Sequence, residues 1–100
     1  MRLMGIGKLH ALTMSGDSAV ARAASLLRAE LAGFEWSSLE EAAGDYPNAR
    51  FVRHRLEIQL PNDICAVIAV NCGAGVALVE FAGDCGSRDN PLIRKKRKPA

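Results

Sequence analysis

The sequence predicts one small α+β domain in which two helices pack on a small antiparallel sheet, in the order β-α-α-β-β-β. Three observations lead to this prediction. The chain has 100 residues, of which 49% are apolar, and this suits a single packed core. In the first half, apolar side chains recur at helical spacing. After Pro47 the apolar period changes to two, which is typical of strands.

Two helices are predicted before Pro47. The longer one begins in the segment 15–18, which offers several N-cap oxygens, and ends at Gly33. Its apolar stripe consists of Val20, Ala24, Leu27 and Leu31. The shorter one follows Ser37, where an S-x-x-E capping pattern occurs in two overlapping frames. A short opening strand is expected within residues 2–6.

Three strands are predicted after Pro47. Residues 52–60 alternate, with Val52, His54, Leu56, Ile58 and Leu60 on one face and Arg53, Arg55, Glu57 and Gln59 on the other. Residues 64–70 are apolar at every position, so this strand should be covered on both faces. Residues 76–81 form the third strand of the meander, residues 83–90 a loop, and residues 91–93 are expected to dock back.

Composition restricts the class of protein. No apolar run reaches the roughly 20 residues that cross a bilayer, so no membrane association is expected. The start of the chain lacks the apolar stretch of a secretory signal, so a cytoplasmic location is expected. Three cysteines without C-x-x-C spacing indicate reduced thiols, the alternative being a zinc site with His10 or His54. Neither a metal nor another cofactor is predicted.

Positive charge is concentrated at the C-terminus. Residues 94–98 carry five of the thirteen basic side chains, and the remaining eight face eleven acidic ones, so the rest of the chain has a net charge of −3. Such a run can bind nucleic acid by neutralising phosphates. It can equally be a solvated terminus that keeps the protein soluble.

Several short strings resemble the HigB branch of the RelE-like toxin ribonucleases. Residues 34–40 and 44–52 resemble a family segment in which a Trp, a short helix and a D-F/Y-P-x-A motif lead into the first meander strand. Residues 1–3, Lys8 and Asn62 match the family's first strand, the lysine after it and a turn asparagine. Gly83 and Asp89 align with the ends of its G-T-H-x-E-Y-D motif. The resemblance covers residues 1–93 and implies one RelE-like domain there, with residues 94–100 as a basic tail.

The resemblance implies a cytosolic toxin that cleaves messenger RNA, usually on the ribosome, and is held inactive by an antitoxin protein. The family needs no metal, and the ribose 2′-OH is its nucleophile, so the substrate is RNA. Such cleavage requires a base for the 2′-OH proton, cations around the phosphate and an acid for the leaving oxygen.

This chain departs from the family pattern at three positions. Cys85 replaces the His of the closing motif, and Arg88 replaces its Tyr. Around Cys65, where the family carries an Arg, this chain has only apolar neighbours, and these cannot hold a phosphate as a guanidinium does.

The candidate catalytic residues are therefore Arg88, Asp89, His54 and Arg55. The candidate RNA-binding residues are Arg53, Lys8, Arg94, Lys95, Lys96, Arg97 and Lys98. His54 has a reference pKa near neutrality, but its alternation with apolar residues is also typical of a packed core histidine.

Arg88 and Asp89 could equally form a local ion pair in a surface loop. A second class of function therefore stays open. The chain could be a catalytically inactive relative that acts as a protein-binding or assembly module, with another copy of itself among its partners.

Overall fold

The chain folds as an α+β domain with a mixed sheet, and helices cover one face of that sheet. A computed structural model of the chain describes residues 2–14, 16–47, 49–87 and 89–94. Residues 93 and 94 are described through their backbone alone. The elements follow in the order β1 (Arg2–Met4), α1 (Ile6–Thr13), α2 (Ser18–Gly33), α3 (Leu39–Asp45), β2 (Arg50–Val52), β3 (Arg55–Leu60), β4 (Ile64–Asn71), β5 (Val76–Asp84) and α4 (Pro91–Arg94). The α+β class predicted from the sequence is confirmed.

The strands lie in the order β1-β5-β4-β3-β2. The neighbours among β2 to β5 are antiparallel, as predicted for the meander, but β1 pairs with β5 in parallel. The sheet is therefore mixed rather than antiparallel. A parallel pair needs a long crossover, and the residues between β1 and β5 supply it. In the middle of the sheet, β4 is buried along most of its length, as its unbroken apolar sequence predicts.

The core has a large part between the helices and the sheet and a small part on the opposite face. The large part includes Leu9, Leu12, Val20, Ala24, Leu27, Leu31, Leu56, Ile58, Ile68 and Val79. The small part consists of Cys65, Val67, Phe81 and Leu92. The predicted apolar stripe of α2 is thus buried against the sheet.

The prediction of one continuous strand over residues 52–60 is wrong. Arg53 and His54 form a two-residue turn, with Arg53 at φ 59°, and β2 folds back so that Val52 pairs with Arg55. The turn changes the alternation, so Val52 lies on the same face as Arg55 and away from Leu56. His54 is exposed in the turn and does not share an apolar strand face.

Helix α1 was not predicted from the sequence. It occupies residues 6–13, so β1 ends at Met4 rather than near residue 6. The helix has no side-chain N-cap and contains Gly7, a poor helix former, so its local signal is weak. Leu9 and Leu12 are buried in the core, and packing against α2 and β5 holds the helix in place.

The start of α2 is tied to the β3–β4 turn. Asp17 is the N-cap, and its Oδ1 accepts hydrogen bonds from the backbone N–H groups of Ala19 at 3.0 Å and Val20 at 3.2 Å. Its Oδ2 accepts a hydrogen bond from the side-chain amide of Asn62. Asn62 and Asp63 both have φ near 60°, as a type I′ hairpin turn requires. The turn asparagine therefore has a structural role.

Helix α3 uses the second of the two overlapping capping frames. Ser38 is the N-cap, and its Oγ accepts a hydrogen bond from the backbone N–H of Glu41 at 3.3 Å. The carboxylate of Glu41 accepts one from the backbone N–H of Ser37 at 2.8 Å. The reciprocal bonds satisfy donors that the first helical turn leaves unpaired.

Three aromatic rings fill the corner between α2 and α3. Phe34 stacks on Trp36 with ring centroids 4.9 Å apart, and Tyr46 meets both rings edge-on. Trp36 Nε1 donates to Asp45 Oδ2 at 2.7 Å, and the Tyr46 hydroxyl donates to Glu30 Oε1 at 2.8 Å. These bonds fix the path of the chain from the helices into β2.

We expect Gly5→Ala to destabilise the protein by at least ~2 kcal/mol. Gly5 has φ +73°, and a Cβ there would lie 2.5 Å from the backbone oxygen of Val79, so left-handed strain and a backbone collision add. Gly7→Ala is the matched control, because no atom lies within 4 Å of its Cβ position and helix propensity favours Ala. Urea unfolding followed by Trp36 fluorescence measures both variants, and equal stability of Gly5→Ala and the parent would contradict this view of Gly5.

We expect alkaline pH to destabilise the fold through Tyr46, the only tyrosine in the chain. Burial raises the pKa of Tyr46 well above its usual value of about 10, and the bond to Glu30 raises it further. The unfolded chain therefore loses this proton first, so the contribution to stability is present below about pH 10 and falls as the pH rises further. Phenolate absorbance should appear only together with unfolding. The Tyr46→Phe variant should lose less stability than the parent as the pH rises over this range. Phenolate formation in the folded protein near pH 10 would refute the raised pKa of Tyr46.

Candidate functional site

The candidate site is the face of the sheet opposite the helices, here called the second face. Alternation along the strands places a mixture of charged, thiol and apolar side chains there, namely Arg50, Val52, Arg55, Glu57, Gln59, Cys65, Val67, Ala69, Leu78, Glu80 and Phe81. Helices α1 and α2 pack on the opposite face, so apart from Leu92 of α4 the side chains of the strands decide what this face can bind.

An extra residue in β5 determines which side chains reach the second face. Ile68 pairs with Val79, whereas the neighbouring Val67 pairs with Phe81, so Glu80 is a β-bulge. Val79 belongs to the helix-side core, and Phe81 belongs to the cluster on the second face. The bulge therefore reverses the alternation of β5 from Phe81 onwards.

Arg55 and Glu80 form an ion pair on the second face. Arg55 Nε lies 2.6 Å from Glu80 Oε1, and Arg55 Nη2 lies 3.4 Å from Glu80 Oε2. The pair spans β4, where the residue directly opposite Arg55 is Ala69, whose small side chain leaves room for the guanidinium. The side chains are 26% and 22% exposed, so a ligand can reach both. The bond to Glu80 raises the pKa of Arg55, which therefore stays charged.

Glu57 forms a second polar centre beside this pair. Its Oε1 lies 3.0 Å from Arg50 Nε, and its Oε2 accepts a hydrogen bond from Asn90 Nδ2 at 3.1 Å. The Cys65 thiol also donates to Oε2 at 3.5 Å. The carboxylate is therefore charge-paired on one side and hydrogen-bonded on the other.

Asn90 fastens the C-terminal segment to the second face. It is fully buried, and its amide also donates to the backbone oxygen of Cys85 at 3.0 Å. Its Oδ1 accepts a hydrogen bond from the backbone N–H of Leu92 at 2.9 Å. Leu92 is 3% exposed and packs in the cluster of Cys65 and Val67. The expectation that residues 91–93 dock back holds for Leu92, and the apolar centre of this face is covered by the chain itself.

Two thiols lie at the β3–β4 turn end of the second face. The Cys85 thiol donates to Gln59 Oε1 at 2.9 Å, and Cys65 is buried beneath the C-terminal segment. Burial raises the pKa of the Cys65 thiol, and interactions with Cys85 and Glu57 raise it further. Cys65 therefore stays protonated at neutral pH.

The structure brings few of the predicted site residues together. Arg55 lies on the second face, but Arg53 and His54 are exposed in the β2–β3 turn. The His54 backbone oxygen accepts from Val70 N–H at 2.9 Å, and its side chain lines a separate groove of about 440 Å³. No hydrogen bond or ion pair among the described residues joins His54 to Arg55.

The remaining predicted residues are spread around the domain. Asp89 is exposed in the loop before α4, and Lys8 is exposed on α1 in the helix layer. Arg88, Lys95, Lys96, Arg97 and Lys98 lie outside the described residues, and Arg94 is described through its backbone alone. A single sequence-predicted catalytic residue, Arg55, thus takes part in a described charged cluster.

The sequence reasoning missed the acidic half of the site. Glu57 alternates with Arg55 on the predicted polar face of the strand, and this spacing was available as a signal. Glu80 is the only charged residue within residues 76–83, and a lone charge in an apolar strand marks a special environment. Asn90 gave no signal of its own, because a buried asparagine looks like a loop residue in sequence.

No protein-family model, curated protein or solved structure matches the chain. Within the described part of the chain, no helix has the length and apolar character that crossing a membrane requires. The same residues contain no group of three His, Cys, Asp or Glu side chains arranged to hold a metal ion. Function is therefore argued from the second face and from the resemblance in sequence.

We expect Asn90→Ala to destabilise the protein by ~2 kcal/mol. The change leaves Glu57 Oε2, the Cys85 carbonyl and the Leu92 N–H without this partner, and buried groups that lose a hydrogen bond cost stability. Asp89→Ala next to it is the control and should change the free energy of unfolding by less than about 0.5 kcal/mol, because the side chain is exposed. Equal effects of the two variants in urea unfolding would show that Asn90 does not fasten the segment.

Proposed function

We propose that this protein is a toxin-like endoribonuclease related to the HigB branch of the RelE-like family, and that it cleaves messenger RNA on its second face. The observation that carries the proposal is the Arg55–Glu80 pair, which is accessible on the sheet face that the helices do not cover. The sequence resemblance over residues 1–93 supports it. So does the placement of α2 across one face of a sheet whose other face carries ion pairs beside a small apolar cluster.

The pair offers two of the groups that RNA cleavage without a metal requires. The Glu80 carboxylate takes the proton from a ribose 2′-OH, and Arg55 holds the charge that develops on the scissile phosphate. The 2′ oxygen then forms a bond to phosphorus, the bond to the 5′ oxygen breaks, and the departing oxygen takes a proton from solvent. Because both side chains are partly exposed, a phosphate can compete with Glu80 for the guanidinium.

Other basic residues extend the proposed RNA contact. Arg53 is exposed next to the strand that carries Arg55, and the sequence adds Arg88, which lies outside the described residues. The basic run of residues 94–98 follows directly from the segment that Asn90 fastens to this face. Phosphate neutralisation by these groups would make binding fall steeply with salt. A ribosome-bound message as substrate, an antitoxin protein as inhibitor and a cytoplasmic location are part of the same proposal.

We expect expression of the chain to arrest bacterial growth and the purified protein to cleave translated messenger RNA. Glu80→Gln should lower the cleavage rate by ~100-fold or more, because it removes the base while keeping the size of the side chain. Glu40→Gln is the matched control, because it makes the same change at an exposed position of α3. Intact RNA and normal growth with the folded parent protein would overturn the proposal, as would equal rates for the two variants.

A second candidate function is an inactive relative that assembles through its sheet edge. Two guanidinium groups of the second face, those of Arg50 and Arg55, are each paired with a carboxylate, which weakens their attraction for phosphate. At the edge, Met4 and Leu78 pair directly and are 49% and 38% exposed. We infer a second copy of the chain as the occupant. Antiparallel pairing of two β1 strands about Leu3 would set Arg2 of one copy against Met4 of the other and avoid like charges.

The two candidate functions predict different results for the same samples. The second function is supported if the protein lacks ribonuclease activity and is dimeric by light scattering, and if Met4→Glu converts it into a folded monomer. An active monomer whose activity depends on Glu80 has the first.

A further inference from the structure

We propose that Cys65 and Cys85 form a disulfide under oxidising conditions, so that the second face contains a site of reversible thiol modification. The proposal rests on the placement of the two thiols and does not depend on the ribonuclease activity. It concerns a pair of cysteines, whereas the third cysteine, Cys72, follows the far end of β4.

The sheet register brings the two cysteines to the same patch. Cys65 on β4 pairs with Gly83 on β5, and Cys85 follows two residues later, which places it diagonally across from Cys65 on the same face. The Cys85 backbone N–H continues the ladder by donating to the Asp63 carbonyl at 2.9 Å. Both cysteines pack in the same small apolar cluster.

Shared partners confirm that the two residues are neighbours. The Asn90 amide nitrogen lies 3.6 Å from Cys65 Sγ and 3.0 Å from the Cys85 carbonyl oxygen. The Cys85 thiol bonds to the side chain of Gln59, which is the residue paired with Cys65 across β3 and β4. The interaction with Cys85 also contributes to the raised pKa of Cys65.

The two thiols have different roles in the oxidation. Cys85 is partly exposed, so hydrogen peroxide or another small peroxide reaches it first, whereas Cys65 is fully buried. The Cys85 sulfur attacks the peroxide oxygen, the O–O bond breaks, and Cys85 becomes a sulfenic acid while the peroxide leaves as water. The Cys65 sulfur then attacks the Cys85 sulfur, the S–S bond forms, and a second water leaves with the Cys65 proton. The two thiols lose two electrons, and the peroxide gains them.

Closing the bond requires Cys85 to move. Diagonal residues on adjacent strands are about 7–8 Å apart at Cα, slightly more than most disulfides span, so Cys85 has to move towards Cys65. Cys85 follows the last residue of β5, so this movement strains the hydrogen bond from its backbone N–H to the Asp63 carbonyl. Its thiol would leave Gln59, and its carbonyl would shift against Asn90. Oxidation would thus shift Cys85 relative to Gln59 and Asn90 on the second face.

The test is oxidation of the reduced, purified full-length chain with hydrogen peroxide, followed by intact mass measurement and a non-reducing peptide map. We expect the mass to fall by two hydrogen atoms and the map to join the peptides that contain Cys65 and Cys85. Cys72→Ser, the matched control, should form the same bond, and Cys85→Ser should not. Dithiothreitol should restore the original mass.

Three results would overturn the proposal. These are a disulfide through Cys72, a disulfide between two molecules only, and oxygen addition at Cys85 without an internal cross-link. Cys65→Ala, which removes the buried thiol, gives a second check, since it should stop at the sulfenic acid. If that variant does not fold, the Cys85→Ser variant, whose position is only half-buried, and the peptide map of the parent still test whether the disulfide forms.

Discussion

Burial of β4 on both faces is the constraint on which the rest of the structure depends. Residues 64–70 are apolar, and a strand of this kind is stable only if something covers each side. Helices α1 and α2 cover one side with a large aliphatic core. On the other side, Leu92 of the C-terminal segment packs on Cys65 and Val67 and supplies the cover. The position of that segment over the candidate site is therefore a consequence of how the core is closed.

Covering an apolar centre with a short segment requires the polar groups around it to satisfy one another. Asn90 bonds to a carboxylate, a carbonyl and an N–H group, and no described buried side-chain nitrogen or oxygen is left without a partner. Arg50 and Arg55 each bind a glutamate in the same region. A phosphate that binds Arg55 must displace the carboxylate of Glu80. Phosphate recognition and acid–base chemistry on this face would therefore be coupled through one ion pair.

The elements with strong local signals could be predicted from the sequence, and the rest depended on contacts that sequence does not display. Helices α2 and α3 and the buried strand β4 were found, because their periodicity and caps are local. Helix α1 was missed because its N-cap is Gly5, which has no side chain to form a capping hydrogen bond. The turn at Arg53 and His54 was missed because these residues continue the alternation and include no glycine or asparagine. Within the site, Arg55 was predicted from the sequence. Its partner Glu80 was not, because Glu80 is 25 residues away in sequence and the orientation of the Glu80 side chain depends on a bulge.

The single extra residue in β5 has a consequence for how this protein can change. Without Glu80, Val79 and Phe81 would still pair with Ile68 and Val67, so Phe81, Gly83 and Cys85 would keep facing away from the helix-side core. The apolar cluster of Phe81 and Leu92 and the two neighbouring thiols would stay, and Arg55 alone would lose its partner. Loss of one codon at this position would therefore change the charge of the surface while leaving the register of the strands beside it intact.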